Sequence, residues 1–257
     1  MNNFHVILVN CDAVPVAEPT TTWVREAHGD AWQTLAIATE MLPGVRLSAT
    51  GLPHPQWNNG DVDDPAAVDI EAVRSWYVGL GVPWGMRVPQ DGEWRHGRHL
   101  FTKRLMGVTP DAFVAADDVP GLVVRAAGTE DLEAALRVDA IAFEESPEVE
   151  RPWLQLLMAH PAVTVAVAEL DGEVVATGSV TVSDGRAGRS GYVAGICVLP
   201  QARRRGIGAA ISSWLTRAAV DEDAALCHLH PDTDAAAAIY RRLGFVEVGG
   251  LDIYVEI

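Results

Sequence analysis

Residues 192–218 constrain this chain more than any other stretch. An apolar run, Tyr192 to Leu199, stops at Pro200. A short loop then brings Arg203, Arg204 and Arg205 together. Gly206 and Gly208 open a segment in which Ile207, Ala210, Ile211, Trp214, Leu215 and Ala218 recur at helical spacing. This reads as strand, tight loop and helix. The first turn of a helix carries four backbone N–H groups without partners and the positive end of the helix dipole. Glycines let other atoms approach that backbone closely, so such a loop can cradle a phosphate or pyrophosphate. Taken alone, it also reads as a solvated basic loop ahead of an ordinary helix.

The charge around it bears on that choice. The 257 residues carry a net charge of −16, and both halves, divided at residue 118, are acidic. This argues against nucleic acid as the main partner. Three consecutive arginines are then a local exception, of the kind an acidic protein needs to hold a polyanion. A composition 49% hydrophobic and 21% charged is that of a globular chain, long enough for one or two domains. Cys11, Cys197 and Cys227 are odd in number and far apart, which suits neither a disulfide framework nor a metal site. His96 and His99 alone are a weak metal signal, and no metal is expected. The start, Met-Asn-Asn-Phe-His, lacks the features of a signal peptide, and no run of 18 apolar residues is present. The expectation is a cytoplasmic protein with no membrane partner; its oligomeric state stays open.

In the first half, Phe4 to Val9 reads as a strand. An apolar stripe from Trp23 to Ala36, extended by Met41 and Leu42, reads as helix in one or two pieces ending at Pro43-Gly44, followed by a strand over 45–49. Residues 50–64, rich in Gly, Pro, Asn and Asp, read as a loop bearing His54 and Trp57. A helix with Asp64 as N-cap and Pro65 in its first turn runs to Gly81. A short strand over 83–88 and a helix over 98–106, stopped by Gly107, complete this half. Six of the eight tryptophans lie here, most simply as core.

The boundary falls near residue 118, giving segments 1–118 and 119–257. The second segment reads as strand 122–126; a helix entered through Thr129; a polar loop at 144–152; a short helix at 153–158; and a hairpin of 163–170 with 173–182 around Asp171-Gly172. Then come the strand ending at Leu199, the glycine-loop helix, a strand over 225–230, a helix over 233–243, and two short strands at 246–248 and 252–256. This is an α/β chain with a mixed sheet.

Arg203-x-x-Gly206-x-Gly208 after a strand resembles the acetyl-CoA signature of the GNAT acetyltransferases. The element order and Ala-Ala-Ile-Tyr-Arg-Arg-Leu-Gly-Phe at 237–245 resemble the same family over 121–257. More loosely, Leu52-Pro-x-Pro, Asn58-Asn-Gly and the run from Trp76 to Val88 resemble the degenerate first lobe of two-lobed members; an unrelated small α+β domain is the alternative. The resemblance implies a GNAT fold in the second segment and acetyl-CoA as cosubstrate. Backbone groups of Ile196, Cys197 and Val198 would flank the pantetheine. Arg203, Arg204, Arg205, Gly206, Ile207, Gly208 and Ala209 would bind the pyrophosphate end of the cofactor, Arg205 from the position nearest to solvent. Thr233 stands where the family often has Asn.

The implied activity is N-acetylation of a primary amine on a small molecule, peptide or protein. The amine must be neutral to attack, and the leaving thiolate needs a proton. Tyr240 is the candidate acid, since a phenol of pKa about 10 can protonate a thiolate whose conjugate acid lies near 8.5. For the base, Glu144 and Glu145 rank slightly ahead of His228. Cys197, mid-strand without an evident partner His, is a poor nucleophile candidate. The rival reading is a non-catalytic acyl-CoA-binding or regulatory protein. An ATP-binding module is weakened by the missing Gly-Lys-Ser/Thr ending.

Overall fold

The computed structural model describes residues 17–256, so the strand expected over Phe4–Val9 lies outside the described residues. Helix α1 (Thr21–Leu35) starts where the Thr20 hydroxyl accepts the Trp23 N–H at 3.2 Å. It stops at Leu35 rather than continuing to Leu42. Met41 and Leu42 belong instead to β1 (Ala38–Leu42), which forms a hairpin with β2 (Val45–Ala49) around Pro43-Gly44. Gly44 takes a φ of 74° there, a conformation that favours glycine.

The segment read as a loop contains a strand, β3 (Asn58–Val62). Asn, Gly and Asp are poor strand formers, and a buried side chain compensates. The Asn58 carboxamide accepts the Thr50 and Gly51 N–H groups at 3.0 and 3.2 Å and donates to the Leu52 and Pro83 carbonyls at 2.8 and 2.9 Å. Helix α2 (Ile70–Leu80) is capped by Asp69, not Asp64, and closes at Gly81 in the left-handed region. Asp64 caps only the preceding turn, accepting the Ala66 N–H at 3.1 Å.

After β4 (Gly85–Pro89) comes β5 (Arg98–Val108), where a helix was expected. Short apolar runs do not separate helix from strand by spacing. The decision here is non-local: β5 is paired along both edges, and Leu105 and Met106 face opposite cores, as a strand requires.

The remainder runs β6 (Leu122–Ala126), α3 (Leu132–Phe143), α4 (Pro147–Ala159), β7 (Val163–Leu170), β8 (Glu173–Ser183), β9 (Ser190–Val198), α5 (Ile207–Asp221), β10 (Leu226–Leu229), α6 (Asp234–Arg242) and β11 (Val246–Val255). Thr129 opens a short 3-10 turn instead of capping α3, and α4 takes in residues 147–152, expected as loop, because Ser146 caps it. The two terminal strands are one, β11, with a register shift between Glu247 and Gly249.

The eleven strands of the described residues form a single sheet in the order β1-β2-β3-β4-β11-β5-β10-β9-β8-β7-β6. The pairing crosses residue 118 in both directions. Strand β5, from the first segment, pairs antiparallel with β10; β11, from the second, pairs antiparallel with β4. Helices α1, α3 and α4 cover one face and α2, α5 and α6 the other. Along β7, Val165 and Val167 pack under α3 and α4, while Ala166 and Ala168 join the core beneath α5.

Two parallel pairs interrupt the antiparallel pattern, β3 with β4 and β9 with β10. Each is bridged by a crossover helix, α2 in the first and α5 in the second.

Candidate active site

The β9–β10 pairing ends at His228↔Tyr192, yet β9 runs on to Val198. Beyond that point the strands part, and among the described residues the edge of β9 from Val193 onward has no strand partner on this side. Helix α5 starts just past the end of β9. Its N-cap is Gly206, at φ 85°, with no side chain to occupy the free N–H groups of the first turn.

Gly208 has a different role. A Cβ there would make only ordinary contacts, 3.8 Å from Ile239 and Val198. The fold therefore does not require glycine at this position, whereas a ligand lying against the helix start would.

These features open into one groove of about 590 Å³. It brings together Ile196, Cys197, Val198, Arg203, Arg204, Gly206, Ile207, Gly208, Ala209, Thr233 and Tyr240. Arg205, expected among the cofactor-binding residues, is instead exposed and does not line it. The Arg203 Nε donates to the Val198 carbonyl at 2.9 Å, which ties the basic loop to the strand end. Thr233 caps α6 by accepting the Ala236 N–H at 3.1 Å. The groove has the shape and donors for an extended polyanion: apolar along β9 and basic at the helix start.

Residues 129–245 match the sequence profile of the Acetyltransferase (GNAT) family. This stretch is a GNAT acetyltransferase domain. No curated protein sequence matches the chain. Among solved structures, a GCN5-related N-acetyltransferase from Kribbella flavida is similar at a TM-score of 0.70 and 21% identity, over 91% of this chain and 95% of that one. A protein from Novosphingobium aromaticivorans, described as from the GNAT family, gives 0.59 and 17%, over 88% and 95%. A tandem GNAT protein from the clavulanic acid biosynthesis pathway gives 0.56 and 13%, over 83% and 78%. At these identities the likeness is one of fold, and it spans both halves of the chain. Acyl transfer is the general chemistry of the GNAT domain.

Within the GNAT domain, Tyr240 is 7% exposed and lines the groove. Burial first, then the charge of Asp232, pushes its pKa up to about 12, against a hydrogen bond with Ser212 that lowers it. The phenol is therefore protonated at neutral pH and available as a donor. The Cys197 thiol is buried and donates to Asp139 Oδ1 at 3.0 Å. Burial and the Asp139 carboxylate hold its pKa well above the ordinary range, which makes it a poor nucleophile.

None of the three expected base residues lines the groove. His228 is fully buried on the α1 side of the sheet, stacked on Tyr192 at 4.9 Å, with both ring nitrogens sealed from water. Burial drives its pKa down to about 3, so it is a neutral structural histidine. Glu144 and Glu145 are exposed at the turn between α3 and α4. Glu144 takes a left-handed φ of 58° and closes α3.

The sequence reading missed Asp139. It lies 9% exposed within α3, facing β9, in a stripe with Ala135, Leu136 and Ala142. A lone carboxylate at i+4 from Ala135 and i−3 from Ala142 was the available signal. Its importance came only from what β9 placed opposite it. Among the described residues no cluster of metal-ligating side chains is present, and no helix is long and apolar enough to cross a membrane.

Proposed function

We propose that this protein is an acetyl-CoA-dependent N-acetyltransferase that transfers an acetyl group directly to a primary amine. The observation that carries this reading is the groove at the open start of α5. There a strand edge without a partner, a basic loop and an uncapped helix N-terminus converge within reach of a protonated phenol. Residues 119–257 act as the catalytic segment, and residues 1–118 as a degenerate lobe with no donor site of its own.

In this reading the pyrophosphate of coenzyme A lies against the first turn of α5, with Arg203 and Arg204 at the mouth. The pantetheine continues along β9, with backbone groups of 196–198 as its partners. An N–H of that segment donates to the thioester oxygen as negative charge develops on it. The amine nitrogen attacks the carbonyl carbon, the C–S bond breaks, and Tyr240 gives its proton to the departing sulfur. Tyr240 is then reprotonated from solvent.

The test is calorimetric titration of acetyl-CoA into the protein and its Gly208→Glu variant. A Cβ at 208 has room, so the variant should keep its thermal transition. It should lose affinity by at least about 100-fold, roughly 2.7 kcal/mol, because the added carboxylate occupies the anion site. A well-folded parent protein that does not bind acetyl-CoA sinks the reading. A parent that binds it but releases no thiol with any primary amine reduces the protein to a binding module.

A further inference from the structure

Across β9 from the coenzyme groove lies a second, smaller cavity of about 60 Å³. It is roofed by α3 and α4 and floored by β7, β8 and β9 around the β8 irregularity between Thr177 and Ser179. At Gly195, φ 63°, a Cβ would meet nothing within 4 Å, so β9 faces open space at this point. The two cavities share a wall. Cys197 lines the groove, and its thiol hydrogen-bonds Asp139, which lines the cleft.

Two carboxylates, Asp139 and Glu150, enter this cleft, and no basic side chain lines it among the described residues. Cys197 from β9 and Glu150 from α4 face Asp139; Glu145 adds to the charge near Glu150. Trp153 forms one wall. It is sandwiched between Trp32 of α1 and Trp57, with ring centroids 5.6 and 5.4 Å away and planes 19° and 7° apart. The first lobe thus backs the cleft with an aromatic column that leaves little room to widen it.

We infer that this cleft is the acceptor pocket, that it takes the end of a slim, unbranched primary ammonium, and that Asp139 accepts its proton while Glu150 holds the cation. The inference rests on the donor-site reading above and adds to it the acceptor class and the missing base. Of the two protons the nitrogen loses on becoming an amide, Asp139 takes the first before attack. The second passes to solvent as the tetrahedral adduct collapses; Asp139 also releases its proton to solvent, while Tyr240 protonates the sulfur and takes one proton back from solvent. Across the cycle one proton appears on the coenzyme A sulfur and one in solvent.

The chemistry of Asp139 suits the role. Burial raises its pKa to about 7, with Glu150 adding to the rise and the Cys197 hydrogen bond opposing it. A base is most effective when its pKa lies near the working pH. A cleft of this volume admits a few methylene groups and excludes a polypeptide backbone, so a small molecule is favoured over a protein acceptor.

The experiment uses n-butylamine, 1,4-diaminobutane and a lysine-containing peptide as acceptors, with thiol release as the signal. Wild type, Asp139→Asn and Glu150→Gln are compared, and acetyl-CoA binding is measured separately for each. Turnover with the alkylamines should exceed that with the peptide by at least about 10-fold. Asp139→Asn should lower kcat by about 100-fold and remove the limb of the pH–kcat profile near 7. Glu150→Gln should act mainly on KM. Both variants should bind acetyl-CoA like the parent.

Preference for the peptide overturns the inference, as does absence of alkylamine turnover in a protein that binds acetyl-CoA. So does an unchanged pH profile in Asp139→Asn. Failure of the parent to bind acetyl-CoA is a distinct result, which removes the donor reading itself. Should Asp139→Asn misfold, Glu150→Gln decides alone, since Glu150 is only half-buried: an unchanged KM for the alkylamines then refutes the assignment.

Discussion

The two parallel strand pairs of this sheet have the same plan and opposite chemistry. Both β3-α2-β4 and β9-α5-β10 send a strand through a helix to a parallel neighbour. In the first, the helix start is closed from within: the Asp69 carboxylate accepts the Glu71 and Ala72 N–H groups at 3.0 and 3.3 Å. Asp63 and Asp64 stand just upstream. In the second, Gly206 leaves the N–H groups free and three arginines precede it. One helix terminus is satisfied by its own chain and repels anions; the other keeps its N–H groups free of any side-chain cap. The two crossovers thus share a topology and differ in whether a carboxylate closes the helix start.

The two faces of the sheet differ as well. Under α1 the first lobe buries ion pairs: Arg46 with Asp30 at 2.6 Å, and Arg87 with Asp61 through two bonds of 2.7 and 2.9 Å. The Arg87 guanidinium also lies 4.6 Å from the Trp32 ring. The core beneath α5 is aliphatic instead, built from residues such as Ile207, Ile211, Leu215 and Val180.

The largest expected effect tests that contrast. Arg87→Met leaves Asp61 buried without its partner and should cost about 3–5 kcal/mol, read by urea denaturation. If the pair contributes nothing, the midpoint will not move and the lobes do not differ in this respect.

The seam between the lobes should show next. His28 and His228 are buried and His230 is partly buried, and burial lowers the pKa of each below 6.5; Lys103 and Arg87 add to the lowering for His28 and His230. Below pH 6.5 the unfolded chain binds protons that the folded one refuses, so stability falls as pH falls. Each refused proton amounts to about 1.4 kcal/mol per pH unit. The melting temperature should drop steadily between about pH 6.5 and 4, and His28→Phe should flatten that slope. A slope identical to wild type would mean that these rings are not held neutral.

The smallest effect isolates the caps. Asp69→Ala should cost about 1 kcal/mol and leave acetyl-CoA affinity unchanged by calorimetry. A change in affinity would mean that the two crossovers are coupled.

Much of the second segment was legible locally. The hairpin at Asp171-Gly172, the glycine-loop helix and the Thr233 cap each depend on contacts within a few residues, and local contacts leave local marks in composition. The first segment was harder to read for a physical reason. Strand β3 exists because Asn58 bridges five backbone groups, and β5 exists because two distant strands flank it. Neither cause has a period or a turn signal.

By itself, then, the sequence determined the strand–loop–helix that shapes the groove at the start of α5, because an open helix start needs only neighbouring residues. Tertiary structure alone decided that β5 and β11 exchange places across the seam. It also sealed His228 and set Asp139 against Cys197, because those outcomes depend on which surfaces meet when the sheet closes.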